Sequence, residues 1–218
     1  VKLFTGSFAS PGSIVVMPVD VVRAAVEAGH RRGKLVFAHP SNSPGARVAI
    51  EGGVDVLAHT FPTSLGGGPW DRALPAMMKE RGMALVPTLK LWPSELKRVG
   101  LSPEVIERVL GIGVAQTRAF AELGGQLLFG TDVGYLTDYD PTDDFVYLQR
   151  AGLTTMQILA MLTTAPADRF GRSGTGRLGP GLAADLVVLD GDPAQDVRVF
   201  AKVRLTMRDG RTIHVRPP

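Results

Sequence analysis

Five short apolar runs, each bounded by Gly, Pro or Thr and each parted from the next by helical spacing, restrict this chain more than any other feature. They are VKLFTG at 1–6, KLVFAH at 34–39, VDVLAH at 54–59, MALVPTL at 83–89 and QLLFGTD at 126–132. Strands alternating with helical patterns define βαβ units, hence a parallel sheet. Sequential order with right-handed crossovers is the expected topology. The intervening helices are read over 18–29, 45–51 and 70–81, and a longer one opens at Ser102-Pro103-Glu104, where a capping residue, a proline and an acid suit a first turn. The chain begins on Val1-Lys2-Leu3-Phe4, which reads as the middle of a strand running straight into the turn residues Thr5-Gly6-Ser7, as in an excerpt of a longer protein.

The pattern changes after the fifth run. Residues 154–170 read as one helix, and from Gly174 short strands take over at 185–190, 203–207 and 212–215, the last two joined by an Asp209-Gly210 hairpin turn. Two domains follow, 1–173 and 174–218. The formal charge is only +3, from 24 Lys and Arg against 21 Asp and Glu, which argues against nucleic acid as a partner. Nothing approaches the roughly 18 apolar residues of a membrane span. Without cysteine there are no disulfides or thiolate ligands, so a metal would need His, carboxylate or a modified Lys. The compartment is not readable, and assembly into homo-oligomers stays open.

The chain has four histidines. His39 ends the second run, His59 the third, and Asp132 the fifth, so three metal-capable side chains stand at carboxyl ends of parallel strands, where α/β proteins place their sites. The alternative for each histidine is a hydrogen-bonded rim residue. Lys2 lies inside the first run, where a buried ammonium demands a partner or discharge. A partner carboxylate would do, and so would carbamylation by carbon dioxide, which converts the amine into an anionic ligand. Tyr135, Asp138, Tyr139 and Asp140 follow Asp132 and either face a substrate or form a polar turn. Lys90 and Trp92 either line a pocket or pack a corner. Ser7, Ser10 and Ser13 have no partner at catalytic spacing, and Gly66-Gly67-Gly68 lacks the Lys-Ser/Thr of a phosphate loop.

VKLFTG with its Lys, GKLVFAHP followed by GVDVLAHT, LLFGTDVG, and the closing TGRLGPGLAADLVVLDGDP with MRDGRTI together resemble the amidohydrolase superfamily, in its imidazolonepropionase-like and Xaa-Pro dipeptidase-like branch. The resemblance implies an α/β fold: strands four to eight of a (β/α)8, TIM-like barrel, plus C-terminal strands of a small β-sandwich. It implies Lys2, His39, His59 and Asp132 as metal ligands, with Asp132 also the catalytic acid and base. It further implies a divalent metal, zinc foremost, as one or two ions, with a carbamate on Lys2 bridging in the two-metal case. Two departures stand out: His39-Pro40-Ser41-Asn42 replaces the family's HAHG, and the His-x-His of strand one is absent from these residues.

The expected activity is therefore hydrolysis of a C–N bond in a small amide, dipeptide or cyclic amide by metal-activated water. Tyr135 and Asp138 are candidate substrate contacts, and an N-terminal segment of the same protein is the expected partner. Two alternatives remain: a single-metal deaminase or cyclic-amide hydrolase with unmodified Lys2, and a non-catalytic remnant.

Overall fold

A computed structural model describes residues 1–10, 13–61 and 70–217, so the glycine run 66–68 lies outside the described residues. The chain falls into two compact units, Val1–Asp132 and Val133–Pro218.

In the first unit the five expected runs become β1 (Lys2–Phe4), β4 (Phe37–His39), β5 (Val56–Ala58), β6 (Ala84–Val86) and β7 (Gln126–Leu127). They form one sheet in the order β1-β4-β5-β6-β7, and every neighbouring pair is parallel. Each strand is shorter than its apolar run: β1, β6 and β7 give up the carboxyl end of the run to the loop that follows, β4 the amino end, and β5 residues at both ends. The segment after β1, expected as a turn, is instead an antiparallel hairpin of β2 (Gly6–Ser10) and β3 (Ser13–Val16). Its β-branched and aromatic residues Phe8, Ile14, Val15 and Val16 favour extended backbone.

Between the strands run α1 (Val19–His30), α2 (Ser43–Glu51), α3 (Leu74–Glu80), α4 (Leu91–Arg98) and α5 (Pro103–Glu122). The third starts four residues later than its periodicity suggests, since Asp71 first makes a turn: its carboxylate accepts the Ala73 N–H at 3.0 Å and pairs with Arg47. The fourth was not expected as a helix; Pro93 falls in its first turn, where a missing N–H costs nothing. One row of the sheet, Val36, Ala38, Leu57 and Leu85, is fully buried, as are Val22 and Val26 of α1 and Ala46, Ala49 and Ile50 of α2. The opposite row opens towards β1: Val56, Ala58 and Ala84 are buried, Phe37, His39, Val86 and Gln126 half-buried, and Lys2 and Phe4 exposed. The expectation of a buried Lys2 is thus corrected. Its strand is a sheet edge with one neighbour, and its row is open there.

Glycine lets two backbone segments meet behind the site. The Pro40 carbonyl lies where a Cβ on Gly6 or Gly45 would stand, at 2.0 and 2.1 Å. Asn42 caps α2 by accepting the Gly45 N–H at 2.8 Å.

The second unit holds α6 (Thr142–Arg150), α7 (Thr155–Leu162), α8 (Thr164–Arg169) and an antiparallel sheet of β8 (Leu186–Leu189), β9 (Val203–Arg208) and β10 (Arg211–Val215), in the order β10-β9-β8. The single helix expected over 154–170 is broken at Thr163 (φ −131°, ψ −83°), because Pro166 cannot donate to the carbonyl four residues back and its ring crowds that carbonyl. The hairpin turn stands as expected: Asp209 and Gly210 both take positive φ, 48° and 74°, as a type I′ turn demands. Val187, Val188, Ile213 and Val215 of this sheet are exposed. A five-stranded parallel sheet with its helices, followed by antiparallel terminal strands, is the partial-barrel architecture expected from the sequence.

Two glycines should respond oppositely to alanine. Gly45→Ala drives a methyl into the Pro40 carbonyl and should destabilise the chain by about 1–3 kcal/mol. Gly111→Ala, in α5 with nothing within 4 Å, should stabilise it by about 0.5–1 kcal/mol, both read from urea midpoints.

Candidate active site

The carboxyl ends of the parallel strands carry backbone strain. Ser41, His59, Thr88 and Asp132 take positive φ (53°, 74°, 43° and 58°), and they follow β4, β5, β6 and β7 respectively. Left-handed backbone in a non-glycine residue costs of order 1–3 kcal/mol and persists where surrounding bonds enforce it. At His59 those bonds are its own N–H to the Val86 carbonyl at 2.8 Å and the Thr60 N–H to the Pro87 carbonyl at 3.0 Å. Gln116 of α5 clamps the next residue, accepting the Phe61 N–H at 3.1 Å and donating to the Phe61 carbonyl at 2.8 Å. Trp92 donates its indole N–H to the Thr60 carbonyl at 2.8 Å.

The strain has a geometric result. Strict alternation would leave His59 in the row of Leu57, facing the helices, while His39 belongs to the opposite row with Phe4, its partner in register. The left-handed turn breaks the alternation, and the two imidazoles meet edge to face with centroids 4.8 Å apart. Phe4 packs on the other side of His39 at 5.2 Å, and the Lys2 ammonium lies 5.6 Å from the Phe4 ring.

Each imidazole is held by a hydroxyl whose own proton is committed elsewhere. Thr88 Oγ1 donates to the Pro87 carbonyl at 2.9 Å, so at 2.7 Å from His59 Nδ1 it accepts, and His59 carries its proton on Nδ1. Ser41 Oγ donates to the Gly6 carbonyl at 2.8 Å, so at 2.9 Å from His39 Nε2 it accepts from that nitrogen. The lone pairs therefore sit on His59 Nε2 and His39 Nδ1. His59 Nε2 is buried and has no hydrogen-bond partner among the described residues, a costly arrangement for a polar atom unless another group engages it.

Electrostatics keep the pair neutral. Burial, then the neighbouring His39 and Lys2, push the pKa of His59 from 6.5 down to about 3. Burial and Lys2 also lower that of His39, against an opposing pull from Asp132. Lys2, His39, His59 and Asp132 thus share one electrostatic neighbourhood. Two neutral imidazoles with free lone pairs suit a divalent ion of zinc's character. Among the described residues, however, no three His, Cys, Asp or Glu side chains assemble as a metal-holding group. What the described residues present is a facing pair of neutral imidazoles.

Other sequence candidates are placed elsewhere. Tyr135 and Asp138 belong to the second unit; Tyr135 is exposed, and the Asp138 carboxylate accepts the Asp140 N–H at 3.0 Å in a local turn. Trp92 packs a corner, and Lys90 is buried at the start of α4. Ser41 and Thr88, which orient the imidazoles, were not singled out from the sequence. The one available signal was a hydroxyl residue just beyond a strand run, as in HPS and VPT. Behind His59 lies a void of about 20 Å³ lined by Leu57, Phe61, Leu85 and Phe120 among others.

Residues 9–213 match the Amidohydrolase family, and the chain belongs to it. An uncharacterized protein of Mycobacterium tuberculosis is 30% identical over 200 residues, 88% of this chain and 51% of that protein. The structure resembles a putative prolidase from Bifidobacterium longum (TM-score 0.80, 26% identity, covering 100% of this chain and 56% of that one). It also resembles a Xaa-Pro dipeptidase with bound methionine in its active site (TM-score 0.78, 25% identity, covering 91% and 49%). Within the family the likeness runs to the prolidase-like branch. The chain spans about half the length of these relatives.

The depressed His59 pKa carries a sign. Between pH 6.5 and about 3 the unfolded chain binds the proton that folded His59 refuses, so stability falls as pH drops through that window. Urea midpoints from pH 7 to pH 4 should decline, and His59→Gln should flatten part of that slope. Nitrogen-15 shifts of labelled histidine should show His59 protonated on Nδ1 and His39 on Nε2, with Thr88→Val mixing the His59 tautomers.

Proposed function

We propose that these residues form the carboxyl-side half of the catalytic site of a metal-dependent hydrolase that cleaves the C–N bond of an amide or dipeptide. The observation that carries this reading is the facing pair of His39 and His59, one nitrogen buried without a partner, at the carboxyl end of a parallel sheet. Kinship with the prolidase-like branch supports an amide or peptide as substrate.

In this reading His59 and His39 would hold a divalent ion, zinc by preference, with Asp132 and a carbamylated Lys2 as the further ligands. When bound, such an ion lowers the pKa of a coordinated water from about 15.7 towards 7 and polarises a carbonyl. Ser41 and Thr88 keep each ring turned with its lone pair available, so little reorientation is needed. Asp132 accepts a proton from the attacking water and returns it to the departing nitrogen. Lys2 is exposed, so its neutral amine can attack carbon dioxide, forming a new C–N bond and releasing one proton to leave an anionic carbamate. The ligands and sheet neighbours lacking here come from a further segment of the same protein, for which the edge position of β1 and the open row of Lys2, Phe4 and His39 leave room.

The test pairs metal analysis with turnover. With the upstream segment restored, hydrolysis of Xaa-Pro dipeptides should be readily measured, while residues 1–218 alone should hold less metal and turn over far more slowly. His59→Ala should strip metal and activity from the longer protein. His30→Ala, whose ring instead pairs with Asp55 at 2.8 Å, should leave both near the parent level. Full activity from residues 1–218 alone would overturn the two-segment site.

A further inference from the structure

The second unit contains a cleft that the hydrolase reading does not use. It is open to solvent, spans about 500 Å³ and is lined by Arg198, Lys202, His214 and Arg216, with Asp140 and Thr142 among the lining residues. That volume lies within the range of small-molecule sites, roughly 300–1,000 Å³. Three permanent cations and one carboxylate line the opening, with Asp190 and Asp196 beside Arg216 and Arg198. All of these residues lie in Val133–Pro218, so the cleft belongs to one compact unit.

What neutralises these charges decides what the cleft accepts. The Asp140 carboxylate is engaged at home, accepting the Thr142 N–H at 2.9 Å and its hydroxyl at 2.6 Å. Arg198 reaches Asp196 at 3.2 Å through one nitrogen, and Asp196 also caps the 3-10 turn at Val197–Ala201 by accepting the Arg198 N–H at 3.0 Å. Arg216 meets Asp190 only loosely, at 3.9 Å, with both side chains more than half exposed. Lys202 makes no ion pair within 4 Å among the described residues, its charge being felt by Asp196 from farther off, and the Lys202 N–H and carbonyl are used by the backbone at Val199 and Asp190. The two guanidiniums thus keep donors to spare and the ammonium keeps all three. Cations held at the walls of a concave surface raise the local potential above that of the same charges on a flat face.

We propose that this cleft is a binding site for a small multivalent oxyanion, a phosphate group or a di- or tricarboxylate, with Lys202 and Arg216 as its principal contacts and Arg198 and His214 completing the wall. A forked guanidinium beside an ammonium matches a ligand with oxygens pointing in several directions better than a halide, which offers one centre. The proposal does not rest on the hydrolase reading.

The test is a titration of the whole 218-residue chain, labelled with nitrogen-15, by inorganic phosphate and separately by citrate, at constant ionic strength set with sodium chloride. Saturable amide shifts confined to residues around 140–142, 198–203 and 214–216 are expected for at least one of the two. Whichever binds more tightly names the source of the oxyanion. Lys202→Ala and Arg216→Ala should each weaken binding by about threefold to fivefold, as loss of one partly exposed charge contact does, and Arg216→Glu by more. Lys97→Ala, an exposed cation on α4, should leave the titration unchanged. The spectra themselves show whether each variant is folded. Shifts that fail to saturate for both anions, or that are the same in Lys202→Ala and Arg216→Glu, would overturn the proposal.

Discussion

The hydrogen bond from the His59 N–H to the Val86 carbonyl is the constraint on which the candidate site depends. It extends the pairing of β5 with β6 one residue past the regular strand while His59 itself turns left-handed. A strand that simply ended would let the backbone relax and return the imidazole to the row of Leu57. A strand that continued regularly would aim it at the helices. Pairing and strain together leave one outcome, an imidazole delivered to the opposite face against His39. The Gln116 clamp on Phe61 and the Trp92 bond to Thr60 brace the same segment from α5 and α4. Residues far apart in the chain thereby share the cost of one backbone conformation.

The order of the parallel strands was legible because it depends on a coarse property, apolar runs broken by helical spacing, that survives errors of several residues at each boundary. The approach of His39 and His59 was legible for the same reason: neighbouring parallel strands place their carboxyl ends side by side, whatever the loops do. What could not be read depends on single torsions. Nothing in VLAH or HPS announces a positive φ, since neither histidine nor serine requires one, and the tautomer-setting roles of Thr88 and Ser41 exist only because of those torsions. The β2–β3 hairpin was masked by the turn-like Thr5-Gly6-Ser7, where only Thr5 bends and Gly6 already begins β2, lying close against the Pro40 carbonyl. In the opposite direction, Pro166 was visible all along, and its break at Thr163 follows from proline stereochemistry that helical spacing alone overlooks.

Ser41 stands where many relatives were expected, by resemblance, to place a second histidine. The structure gives the replacement a distinct chemistry. A hydroxyl bonded to the Gly6 carbonyl can only accept from His39, so it sets one tautomer and adds no titrating group of its own. The neighbourhood of Lys2 and Asp132 therefore contains two ionisable rings instead of three, and its charge state depends on fewer protons.

The small void behind His59 has a further meaning. At about 20 Å³ it is large enough to admit one water, yet its lining is almost wholly hydrocarbon and the Gln116 amide is already bonded to Phe61, so a water there would forfeit most of its hydrogen bonds. The packing behind the ring therefore favours hydrocarbon over solvent, and that loss of water is the first cause of the lowered His59 pKa.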